Sequence, residues 1–369
     1  LRYNTFNYWL LVVILINVPF LLKLCNIQVR LLEGFVAVLL IGLLFSVRQE
    51  EGTSDVLQVA SAFGLLVYFY RSSRDPKAWF WMAFVGGIVS AIGCLVLRLE
   101  WDSLPRLERG GLALIPLTAI CSSCLAVGVN GGWRRGHWIL GLLSAVNYGW
   151  VVLSTSRGGL LVATVCMLFL IVQVRSTARR IACIAGAAVL GLAVLLSSAE
   201  RAAYTLDRMR SLFDPDQSAQ VRSSGRSDLA LAGWYIFLEN PMGVGTGEYQ
   251  YAWLTLRQRG SLSLIFAGRE INAHSGWVKA LAENGIPGIL LLAAFVFSFA
   301  ALGLSRRRRS PRALALGLLV FAVWSVAMLS YEFTQKALWL LAAGAIVFLH
   351  RDSLVETRPQ NRRPATGVG

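Results

Sequence analysis

Continuous apolar runs, each close to the length that crosses the ~30 Å hydrocarbon layer of a bilayer, constrain this chain more than any other feature. Residues 112–129 and 288–304 contain no charged side chain at all. Inside lipid the backbone must satisfy its own hydrogen bonds, so only helices and closed barrels span it. A barrel needs short strands of alternating polarity, and these runs are unbroken. With 56% hydrophobic residues and a mean hydropathy of +0.59, the expectation is an all-α, polytopic helical membrane protein.

The runs fall at 8–24, 31–47, 56–70, 79–97, 110–129, 137–153, 159–174, 181–196, 278–304, 313–329 and 336–349, about eleven crossings. The run at 278–304 is expected to start as an extramembrane helix. With no internal repeat or low-complexity segment, the chain divides into amino-terminal transmembrane helices (1–196), a large loop (197–277), carboxyl-terminal transmembrane helices (278–350) and a tail (351–369).

A formal charge of +15 invites a nucleic-acid partner, but the basic residues occupy alternate loops, as membrane topology demands. Lys23 and Arg30, Arg71, Arg74 and Lys77, Arg134 and Arg135, Arg175, Arg179 and Arg180, Arg306 to Arg309 with Arg312, and the tail then share the cytoplasmic side. His137 and His350 flank two of these clusters and are expected at the interface. The loops at 49–55, 98–109, 154–158 and 197–272 lie outside, and the last holds eight arginines and eight acids. Some of its arginines are expected in ion pairs and a few are expected to meet an anion. This topology puts the amino terminus outside. As the chain opens on Leu1, either a further crossing precedes it, giving about twelve, or an unusual start codon leaves eleven. No cleavable signal sequence precedes the first run.

The 197–272 stretch is the one long polar connection, and long ordered loops are commonly functional. Cys121 and Cys124 form a CxxC, but inside an apolar run without His or a second pair they read as packing residues. The run from Gly243 to Gly247 follows no strand and is no dinucleotide fingerprint. Three outer segments carry chemistry. In Ser154-Thr155-Ser156-Arg157-Gly158-Gly159, Arg157 stands at a helix junction, either facing a ligand or snorkelling to lipid phosphate. In Gly225-Arg226-Ser227-Asp228, Ser227 is expected as an N-cap, with Arg226 at a helix amino terminus suited to phosphate; an ion pair with Asp228 is the alternative. In Asn272-Ala273-His274-Ser275-Gly276-Trp277, His274 is the one outer histidine, either a cap or a proton carrier near neutrality. No neighbouring ligands suggest a metal.

Together, STSRGGLLV at 154–162, GRSDLALAGWYIFLENPMGVGTGEY at 225–249 and NAHSGWVKALAENGIPG at 272–288 resemble the O-antigen ligase and polysaccharide polymerase family of bacterial envelope proteins. The order, spacing and helical context agree over the second half of the chain; the first half offers only its hydrophobicity. Many relatives have Asn where this chain has Ser275.

The resemblance implies a GT-C-like, cofactor-free and metal-independent glycosyltransferase of the bacterial inner membrane, with its site facing the periplasm. It would take glycan from undecaprenyl diphosphate and pass it to the lipid A core. Arg157 and Arg226 would hold the diphosphate, with Arg222 and Arg269 as further phosphate contacts or ion-pair partners of loop acids. His274 would orient or deprotonate the acceptor hydroxyl, or else hydrogen-bond the diphosphate when protonated. A polymerase would share this donor site; one dominant outer loop and a short tail favour the ligase. A lipid-linked glycan transporter would show repeats and mid-membrane charges, which these runs nearly lack. Glu33, the clearest exception, lies near the cytoplasmic end of its run.

Overall fold

The computed structural model describes residues 27–47, 49–72, 76–99, 113–130, 136–154, 156–174, 226–258, 273–308, 310–333 and 335–357, with isolated positions between 176 and 214. The expected run at 8–24, nearly all of 181–196, Arg222 and Arg269 lie outside these residues. Among the described residues every regular element is a helix, eleven in all. They are α1 (Ile27–Leu44), α2 (Gln49–Ser72), α3 (Pro76–Leu99), α4 (Leu114–Val129), α5 (His137–Leu153), α6 (Arg157–Val172), α7 (Arg226–Glu239), α8 (Tyr249–Gln258), α9 (Gly276–Ser305), α10 (Pro311–Ala327) and α11 (Lys336–Thr357).

Three are long and apolar enough to cross a membrane: α1, residues 77–96 of α3, and α9. On α3 the pattern is apolar on both sides. Trp79, Ala83 and Cys94 are buried, whereas Trp81, Val85, Val89, Ile92 and Val96 point outward at helical spacing, as for a helix with one face on protein and one on lipid. Ser90 donates to Asn147 Oδ1 at 2.6 Å, and Asn147 Nδ2 donates to Gly87 O at 3.2 Å and to Leu143 O of its own helix at 2.8 Å, tying α3 to α5 through polar groups buried in an apolar medium.

The centre of the bundle is formed by α4 and by α11 from Ala337 to Leu349, both almost wholly buried. Next to α11, the rings of Phe295, Trp324 and Trp339 pack edge-on or tilted, with centroids 4.7–5.6 Å apart. Both indole N–H groups are satisfied, Trp324 by Leu338 O at 3.1 Å and Trp339 by Phe333 O at 2.6 Å. Gly317 brings α10 onto α9, where a Cβ would stand 2.5 Å from Phe299 O.

Two boundaries differ from expectation by more than four residues. The acidic segment at 49–55 is the start of α2 rather than a loop, because Glu50 and Glu51 in the first turn suit a helix amino terminus and Asp55 is drawn inward to Lys279. At its far end, α11 runs on to Thr357. Glu33 pairs with Arg30 at 2.7 Å on the exposed side of α1, and His137 is buried against the Phe80 ring.

The α9 helix is 30 residues long and breaks at Gly285, whose φ of 58° and ψ of −152° are non-helical. At ~1.5 Å per residue α9 exceeds the hydrocarbon thickness, so its first turns stand outside the apolar 288–305 segment. The α1/α2, α5/α6 and α10/α11 junctions gather around these first turns, with α7 and α8. The α9/α10 turn lies at the other end, where Arg306 Nη1 donates to Leu349 O at 2.7 Å.

Gly285→Ala should destabilise the protein by about 1–3 kcal/mol from backbone strain alone. The added Cβ would also lie 2.3 Å from Pro241 O. A lowered melting temperature in detergent is the expected result; an unchanged one would show that the break relaxes freely.

Candidate functional site

The turn at 328–333 between α10 and α11 is the point on which the three motif segments converge. Its carbonyls are met by the start of α9: Gly276 N donates to Met328 O at 2.9 Å and Tyr331 O at 2.8 Å, and Ser275 Oγ donates to Met328 O at 2.8 Å. A side chain at 276 would collide with Met328 Sδ at 2.1 Å. From the α5/α6 junction, Ser156 Oγ hydrogen-bonds the Tyr331 hydroxyl at 2.8 Å. Gly158 and Gly159 permit this approach, since Cβ atoms there would lie 2.2 Å from Ser330 Cβ and 2.6 Å from the Tyr331 hydroxyl. From α7, Arg226 Nη1 donates to Ser330 Oγ at 3.3 Å.

Arg157 is the first residue of α6, half-buried, behind the N-cap Ser156 that accepts from Gly159 N. Arg226 is the first residue of α7, also half-buried. The helix therefore starts two residues earlier than an N-cap at Ser227 would have it, and buried Asp228 supplies the acidic group of the first turn. His274 directly precedes the N-cap of α9 and has a φ of 49°, a left-handed conformation uncommon outside glycine and often found at functional sites. The N-cap is Ser275, which accepts from Val278 N. Asn would cap the helix here about as well as Ser does.

Burial pushes the His274 imidazole below its ordinary pKa; Glu332 opposes this and Arg226 reinforces it. Burial raises the Tyr331 phenol, against the Ser156 hydrogen bond and Arg226, so Tyr331 stays protonated. At pH 7 His274 is neutral, and the stability held by that neutral form is complete above the ~6.5 of an unfolded histidine. It is lost as pH falls through the depressed folded value. An activity requiring neutral imidazole should therefore persist below ~6.5 and fail on further acidification. Glu332→Gln removes the opposing charge and should move that acid limb to still lower pH in a pH–rate profile. An unmoved limb would mean that Glu332 does not govern the imidazole.

The glycine-rich turn after α7 is a structural clasp. Val244 N donates to Ala282 O at 3.1 Å, Gly245 N to Glu283 O at 2.9 Å, and Ile286 N to Pro241 O at 3.0 Å. Thr246 Oγ1 donates to Leu39 O at 2.8 Å and Ser46 Oγ to Glu248 Oε1 at 2.7 Å. The turn thereby joins the break in α9 to the α1/α2 junction. Gly243, Gly245 and Gly247 take φ of 91°, 111° and 86°, which explains the glycine spacing without a nucleotide.

Sequence reasoning missed Ser330, Tyr331, Glu332, Lys279 and Asp55. Lys279 is buried, with its Nζ 2.7 Å from Asp55 Oδ2 and 3.0 Å from Glu332 Oε2. The available signal was the polar interruption from Ser330 to Gln335 between two apolar runs. Cys121, Cys124 and Cys166 are buried free thiols.

Residues 138–293 match the O-antigen ligase family model, in agreement with the resemblance carried by the three motifs. The match opens at the second residue of α5, closes within α9, and contains Arg157, Arg226 and His274, while the 328–333 turn lies beyond it. The likeness spans less than half of the chain. No curated protein matches the chain.

Proposed function

We propose that this protein is an O-antigen ligase acting at the periplasmic face of the inner membrane, transferring glycan from undecaprenyl diphosphate to a sugar hydroxyl of the lipid A core. One observation carries the reading: Ser156, Arg226 and Gly276, one from each motif of the family, meet the same turn. In the reaction the acceptor oxygen bonds to the anomeric carbon while the bond from that carbon to the diphosphate oxygen breaks. The lipid diphosphate leaves with the electron pair. Arg226 and Arg157 hold that growing charge, with Arg222 and Arg269 as further phosphate contacts. A preorganised donor is worth about 3 kcal/mol in such a role. Neutral His274 takes the acceptor proton, a step typically worth roughly a hundredfold or more.

Deleting the gene and comparing lipopolysaccharide with carrier-lipid fractions by O-antigen blot tests this. Loss of all O-antigen from the core, with long polymer kept on the carrier, is the expected result. A core bearing one repeat and no ladder would instead assign the polymerase, whose donor site would be the same.

A further inference from the structure

We infer that the outward face of α7 is a membrane anchor that beds in the acyl-chain boundary of the leaflet next to the site. Between Asp228 and Glu239 the helix has no charged residue. One side, Leu229, Ala232, Gly233 and Ile236, is buried, with Gly233 close against Val278 of α9. The other side is also apolar: Leu231, Trp234, Tyr235 and Leu238 are all exposed, and Met242 in the following turn is 72% exposed. A helix apolar all round is stable only where both faces leave water.

Continuity identifies the covering medium. Pro241 O accepts from Ile286 N, so Met242 lies beside the start of an exposed stripe on α9 formed by Ile286, Leu290, Phe297 and Leu304. That helix is long and apolar enough to span a bilayer, and this stripe is its face toward lipid. The α7 face extends the same surface past the Gly285 break. Its Trp and Tyr are the residues enriched at the membrane boundary. Glu239, at the end of the helix, is exposed and marks the polar limit.

The anchor stands apart from any transfer reaction. Its consequence rests on the function proposed above: Arg226, at the head of the same helix, is held near head-group level, where the diphosphate of a lipid carrier travels.

The test uses the full chain, freed of native cysteines, in phosphatidylethanolamine/phosphatidylglycerol vesicles. A nitroxide is placed at Leu238→Cys, with Ile286→Cys as lipid reference and Glu239→Cys as head-group reference. The expected result is high access to oxygen and loss of access to a water-soluble nickel complex at 238, matching 286. Nickel access equal to an aqueous label would overturn the anchor. Exclusion of both probes would also overturn it, assigning the face to protein, a second copy included. Should these variants misfold, brominated lipids should quench a smaller share of tryptophan emission in Trp234→Phe than in the native chain, and equal quenching would refute the placement. Neither readout requires glycosyl transfer, so its failure is distinct from failure of the ligase reading.

Discussion

Arg226→Ala is expected to lower kcat by about 10²–10³-fold while leaving the protein folded. The charge to be stabilised appears only as the diphosphate departs, so a cation already fixed in place does most for the transition state. Arg226 is so fixed: it opens α7, where backbone N–H groups and the helix dipole favour the same anion, and its Nη1 reaches Ser330 Oγ at 3.3 Å. Lysine at 226 should restore little, because a point charge cannot reproduce the planar fork of donors that grips phosphate. The split between constants is informative. A transition-state role lowers kcat and kcat/KM together, whereas simple donor binding raises KM alone. A folded Arg226→Ala protein with native kcat would remove Arg226 from the leaving group. Ser330→Ala, which loses only a neutral hydroxyl, should cost far less.

The helical class was legible because lipid leaves the backbone so few choices; the runs at 137–153 and 336–349 begin at the residues where α5 and α11 begin. The three motifs were legible for a different reason. Their glycines answer to close contacts that little else satisfies: Gly158 on Ser330, Gly243 on Glu283 O, Gly276 on Met328. What joins them was not legible. Ser330 and Tyr331 carry no distinctive spacing and matter only because α10 ends where α6, α7 and α9 begin. Asp55 reads as one acid of a solvated outer loop, and its burial depends on Lys279, which is 224 positions away along the chain. The residues of a long-range ion pair look like any surface charge until packing brings them together.

That pair leads to the second large effect. Lys279→Met should destabilise the protein by about 3–5 kcal/mol, because it strands carboxylates that are buried around the missing ammonium. Lys279 Nζ lies 2.7 Å from Asp55 Oδ2 and 3.0 Å from Glu332 Oε2, and 5.9 Å from the Phe333 ring centre. Glu283, one helical turn further along α9, is also within its electrostatic reach. A loss of this size is about a fifth or more of the ~5–15 kcal/mol that holds an ordinary domain together. The yield of monodisperse protein in detergent should fall sharply, with the melting temperature. The cause is charge imbalance rather than lost packing, so Lys279→Met combined with Asp55→Asn and Glu332→Gln should recover much of the stability. A triple variant no better than the single one would refute that cause. The rescued protein should still differ from the native one in its pH profile: without the Glu332 carboxylate, His274 loses the group that opposes its desolvation. The acid limb would sit at lower pH even though the fold is restored, separating the part the network plays in holding the turn from the part it plays in tuning the imidazole.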